Sequence, residues 1–139
     1  MDLDLSQFPH VYPFRVRSFH VDRQNVVHNI WYFFFLEEAR VEFIRGIGLP
    51  MDAETFVTHS RFYVARNTCD YRAAAFFDDE LLIHSRVSAV GDSSITFEHA
   101  ITKQADGTLV ATATHVLVHI DIASNRPSRI PDTLRALLP

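Results

Sequence analysis

The chain has 139 residues, the usual length of one domain, and 47% of them are apolar, which suits a packed core and excludes a disordered chain. Its net charge of −4 and its scattered cations exclude a nucleic-acid surface built on bulk positive charge. No stretch reaches the roughly 18 uncharged apolar residues of a membrane-spanning helix, and the one cysteine, Cys69, cannot close an intrachain disulfide, so a cytoplasmic, membrane-free protein is expected.

The first nine residues read as an arm; MDLDLSQFPH carries two acids and lacks the basic start of a secretory signal. Val11 to Phe19 then predicts a strand with Tyr12, Phe14, Val16 and Ser18 on one face, and Pro13 places it at a sheet edge. A helix is predicted from Ile30 to Arg45. Tyr32, Phe35, Leu36, Ala39 and Phe43 form one stripe at helical spacing, while Phe33, Phe34, Val41 and Ile44 form a second. A helix apolar on two sides is central to its fold or shared with a partner. Gly46, Gly48 and Pro50 end it.

Met51 to Ser60 reads as a loop. Arg61 to Tyr71, Glu80 to Val90, Ser93 to Lys103 and Thr108 to Asp121 each alternate as strands do. Val90-Gly91-Asp92 and Ala105-Asp106-Gly107 carry turn signals, which predicts an antiparallel meander, and Pro131 to Leu138 predicts a short terminal helix. One strand, one long helix and four more strands give an α+β domain over 1–139, with a curled sheet covering the helix.

The stretch with most chemical content is DRQNVVHNIWYFFFLEEAR, Asp22 to Arg40. A lone carboxylate, Asp22, stands just ahead of the helix. Free N–H groups at a helix start can hold a developing oxyanion, and a nearby carboxylate can attack a carbonyl or activate water. His28 can orient water or touch a substrate, and Trp31, Tyr32 and the three phenylalanines after it can line an acyl or aryl pocket. Glu37 lies inside the second apolar stripe, where a carboxylate needs a partner.

The spacing of Asp22, Asn25, Val27, Asn29 and Tyr32, followed by Glu37, Ala39 and Arg40, resembles the 4-hydroxybenzoyl-CoA thioesterase branch of the hotdog-fold thioesterases. The likeness continues through Cys69 to Val87 and Ala111 to Leu138. It implies a hotdog fold, a homodimer or homotetramer with sites at the subunit interface, and hydrolysis of an acyl-CoA thioester. Asp22 would be the nucleophile or general base, and the Asn29 backbone N–H the oxyanion donor. Asn25, His28 and Tyr32 would border the substrate. Two departures stand out: Asn25 replaces the family's usual glycine at a position needing positive φ, and His20 stands where many relatives carry an acid. Glu37 is the alternative carboxylate, since another hotdog branch uses a helix glutamate.

The resemblance implies no cofactor and no metal; coenzyme A enters as part of the substrate. His115 and His119 share a strand face, but two histidines alone make a weak metal site. Arg66, Arg72, Arg86, Lys103, Arg126 and Arg129 are candidates for the coenzyme A phosphates. A serine-hydrolase elbow and a phosphate-cradling glycine loop are missing, with four glycines in all. The rival readings are a thioesterase acting on an acyl-carrier protein and a non-catalytic acyl-CoA-binding module.

Overall fold

The computed structural model describes residues 3–49 and 61–139. The expected loop at Met51–Ser60 lies outside the described residues. Strand β1 is His10–Arg15, and helix α1 is Trp31–Gly46. Strands β2 (Arg61–Tyr71), β3 (Glu80–Val90), β4 (Ser94–Lys103) and β5 (Leu109–Asp121) follow, then the two-residue β6 (Arg126–Pro127) and the single-turn α2 (Asp132–Arg135). The sheet is antiparallel in the order β1-β3-β4-β5-β2, with β6 on β5. It curls around α1 as a hotdog.

The tight turns produce the β3–β4–β5 meander, but β2 does not precede β3 in space. It pairs with β5 at the far edge, outside the three strands that the two turns join. Strand β1 stops four residues early. Val16 is tied to the Asp79 carbonyl, and His20 Nδ1 accepts the Arg17 N–H at 2.8 Å, which winds Ser18–His20 into a 3₁₀ turn. Pro13 does sit on an edge strand, where its missing N–H costs nothing. The N-terminal arm docks as well: Phe8 is buried beneath the Arg86 guanidinium, 4.6 Å from its ring centre.

The two stripes of α1 meet different environments. Tyr32, Phe35, Leu36, Ala39 and Phe43 are buried against the sheet, whereas Phe33, Val41 and Ile44 are half-buried and Phe34 is 52% exposed. The inner stripe joins two apolar clusters. One gathers Phe35, Leu36, Leu81, Ile83 and Ile101, and the other Phe43, Ile95, Phe97 and Leu117. Between them runs a polar row. His10, Ser85 and His99 pair in register across β1, β3 and β4, and His115 stands one row on, opposite Phe97 and Asn67.

Candidate active site

The hairpin ahead of α1 is built by local chemistry. Val21 pairs with Val27, the Asp22 N–H donates to the Val26 carbonyl at 2.9 Å, and the Asn25 N–H donates to the Asp22 carbonyl at 2.9 Å. Asp22 Oδ1 accepts the Gln24 N–H at 2.8 Å, an Asx turn that starts the reversal. Asn25 has φ 64°, so it fills the left-handed position that closes this three-residue loop. The amide side chain is tolerated where glycine would be easiest.

Val27 then sinks into the core, its N–H bound to the Ala75 carbonyl, and Val26 bridges Phe76. This fixes the hairpin to the 72–79 connection. The His28 carbonyl accepts the Trp31 N–H, and His28 Nδ1 accepts the Ile30 N–H at 3.2 Å. His28 therefore makes the cap-like contact at the helix start, and Ile30 holds the N-cap position without a side-chain cap.

Asn29 is exposed, and its carbonyl accepts the Tyr71 hydroxyl at 3.0 Å, pinning the helix start to the end of β2. Its own N–H has no hydrogen-bond partner among the described residues. A cleft of about 370 Å³ opens here, lined by Asn29, Tyr32, Tyr71, Arg72, Val26 and Val27 with Ala73 and Ala74. Tyr32 is a core residue first, 3% exposed and edge-on to Phe35 and Tyr71; burial pushes its hydroxyl up to about 12. The structure thus gathers Asn29 and Tyr32 at one cleft. Asp22 is half-buried and is not among the residues that line that cleft. Asp22 Oδ2 accepts no hydrogen bond from the described residues. His20 is buried among Phe14, Phe19, Trp31 and Phe35, and burial pulls its pKa down.

The six cationic candidates separate. Arg86 pairs with Glu98, Lys103 with Asp79, and Arg129 with Asp92 and Asp132. Arg72 is exposed and lines the cleft beside Asn29. Glu37 is also exposed and borders a second cavity, of about 230 Å³, with Phe33, Phe34, Arg40, Asn67 and His115.

Sequence reasoning met Arg40 only as part of the family pattern and His115 only as a weak metal candidate, and it passed over His99. Arg40 is buried and donates from Nη1 to His115 Nδ1 at 3.0 Å. His99 shares a 2.8 Å hydrogen bond with the Ser85 hydroxyl, and its ring lies 4.8 Å from that of His115. Burial, and then the Arg40 charge, take His115 down to about 4; burial, with His115 and Arg40 adding to it, takes His99 well down too. The signal was available: His99 and His115 occupy the apolar phase of their strands, in FEHAI and ATHVL. Among the described residues no cluster of potential metal ligands forms.

A curled antiparallel sheet wrapped on one long helix is the architecture of the hotdog fold. The model of the thioesterase-like superfamily matches residues 16–138. The chain is 30% identical to the long-chain acyl-CoA thioesterase FadM of Escherichia coli, over 89% of this chain and 92% of that one. A structure of a hypothetical protein from Aquifex aeolicus superposes with TM-score 0.86 at 26% identity, covering 94% of this chain and all of the other. A Thermus thermophilus thioesterase solved with coenzyme A and Zn superposes with TM-score 0.82 at 28% identity, covering 95% and 92%. The chain belongs to the thioesterase-like superfamily.

Proposed function

We propose that this protein hydrolyses an acyl-CoA thioester to a free carboxylic acid and coenzyme A, with Asp22 and the Asn29 N–H as its catalytic groups. The observation that carries the reading is the Asn29 N–H at the start of α1, which has no partner among the described residues and belongs to a residue lining a cleft, seven residues after the half-buried Asp22, whose Oδ2 likewise accepts nothing from the described residues. FadM's name, and the coenzyme A bound in the Thermus structure, support the substrate class.

The thioester carbonyl oxygen accepts from the Asn29 N–H, whose place at the helix start favours the negative charge that develops there. In one route an Asp22 oxygen attacks the carbonyl carbon, the C–S bond breaks, and water hydrolyses the resulting anhydride. In the other, Asp22 takes a proton from the water that attacks. In both, the thiolate of coenzyme A leaves and is protonated from solvent. The chemistry draws on the chain and water alone; coenzyme A arrives with the substrate. Asn25 sets the hairpin, His28 holds the helix start, and Tyr32 walls the cleft. Arg72, exposed beside the cleft, meets a coenzyme A phosphate.

Assembly belongs to this reading. Strand β2 is an eleven-residue sheet edge with Tyr63, Val64 and Tyr71 exposed. Long open edges invite strand pairing, so two copies join there into one sheet, as a homodimer or a homotetramer of such dimers. Among the described residues no helix is long and apolar enough to cross a membrane; the reading places the enzyme in the cytoplasm.

The test is thiol release over a panel of benzoyl, phenylacetyl and short to long acyl-CoA thioesters, with Asp22→Asn beside the wild type. Turnover that collapses in a folded variant supports the assignment. Turnover that persists moves the role to Glu37. If wild type hydrolyses none of the panel, the coenzyme A assignment fails.

A further inference from the structure

Arg40 is a charge that the catalytic reading leaves unused. It is 8% exposed, and its hydrogen bond among the described residues goes to an imidazole, not to a carboxylate. A buried charge is costly unless it is matched. Its remaining N–H groups are not among the sealed, unpartnered atoms, which do include His99 Nε2 and His115 Nε2. Arg40 lines the 230 Å³ cavity with Phe33, Phe34 and Asn67, where a donor with hydrogen-bonding capacity to spare can meet a ligand. Because guanidinium only donates, His115 Nδ1 must accept, and the imidazole proton sits on Nε2. Arg40 thus meets a neutral ring on its inner side, and the carboxylate that acts on its charge is the exposed Glu37, one turn back on α1 and bordering the same cavity.

This cavity lies in line with the proposed reaction site. Asn29, Phe33, Glu37, Arg40 and Ile44 recur at helical spacing, so they share the face of α1 that looks toward β2. The stripe continues past Arg40 into a third, mainly apolar cavity of about 340 Å³, which Glu37, Arg40 and Val64 share with the second. Along α1, Glu37 and Arg40 stand about 12 to 17 Å from Asn29. An extended chain covers that in roughly ten to thirteen bonds.

We infer that the α1–β2 groove receives the acyl chain, and that Arg40, steadied by His115, hydrogen-bonds an oxygen carried far along it: a hydroxyl, oxo or carboxylate group. The inference rests on the thioesterase reading, and it makes Arg40 a specificity residue. A cavity with aromatic walls and one fixed cationic donor favours a chain bearing an acceptor over a plain alkyl chain.

The experiment compares kcat/KM for dodecanoyl-CoA, ω-hydroxydodecanoyl-CoA and the mono-CoA thioester of dodecanedioic acid. Wild type prefers the oxygenated chains by roughly ten- to a hundredfold, the scale of a hydrogen bond to a charged group. In Arg40→Gln the preference shrinks toward unity, and Asn67→Leu, at the exposed rim, reduces it without touching the buried pair. Calorimetric binding of the free acids, dodecanoic against ω-hydroxydodecanoic, reads the same preference without turnover. Equal kcat/KM in wild type overturns the subsite while leaving the thioesterase reading intact. No turnover of any thioester, with the acids still discriminated, retains the subsite and rejects the reaction. If Arg40→Gln weakens subunit association and leaves the preference unchanged, Arg40 serves a second copy of the chain and the inference fails.

Discussion

At the foot of α1, half-buried Asp22 and exposed Asn29 carry polar groups at a hairpin and a helix start; three turns along the helix, Arg40 is buried against His115, which stands beside His99 in the core. The first set is held by backbone geometry: an Asx turn, a left-handed Asn25 and a helix start. The second is held by side-chain hydrogen bonds inside the core, Arg40 to His115 and Ser85 to His99. A site held by backbone tolerates the loss of one side chain without unfolding. A polar layer sealed in a core does not, because each partner removed strands another group. Substitutions at the two places should therefore separate activity from stability.

The largest effect is expected at the hairpin and helix start. Asp22→Asn keeps an oxygen to accept the Gln24 N–H, so the hairpin and the melting temperature hold, while thioester turnover falls by roughly a hundredfold or more. A variant that loses stability as well would show that Asp22 belongs to the framework.

In the buried layer the order reverses. His115→Leu removes the acceptor of Arg40 and should lower unfolding free energy by about 2 kcal/mol, read from denaturant midpoints. The layer also sets an acid limit. His115 titrates at about 4 in the fold against 6.5 in the open chain, so between those values the unfolded chain binds more protons. Its contribution is whole above pH 6.5 and is lost as pH falls toward 4. His10, His20, His84 and His99 are shifted the same way, chiefly by burial, and add to the slope. Stability measured across this window in His115→Leu should fall less steeply than in wild type; an unchanged slope would remove His115 from the cause.

Smaller effects sharpen the contrast. Arg72→Ala should raise KM for acyl-CoA several-fold and leave the acyl-pantetheine substrate unaffected, as expected of an exposed phosphate contact of about 1 kcal/mol. Asn25→Gly should be neutral or stabilise by under about 1 kcal/mol, because glycine enters the left-handed region freely; Asn25→Ala should cost about 1 kcal/mol in thermal unfolding.

The sequence was most legible where the cause is local. The hydrophobic period marks α1 to within a residue at each end and alternation gives the bounds of β2 and β3, while the positive φ at Asn25 was implied by the family resemblance. Strand β1 was overextended because its end depends on a contact of His20 that no local pattern displays. The place of β2 in the sheet was not legible for a related reason. Alternation says that a segment is a strand, but not which edge will take it.

What the sequence determined by itself is the order of elements, the two-sided helix and the carboxylate–turn–helix stretch from Asp22 to Tyr32. Propensity, side-chain period and turn chemistry act over a few residues, and a few residues suffice to read them. Only the tertiary structure decided that β2 closes the far edge beside β5, that Arg72 shares a cleft with Asn29, and that Arg40 meets His115 across 75 residues of chain. Those outcomes follow from how one helix face fits one curled sheet, where burial and hydrogen bonding are settled between segments distant in sequence.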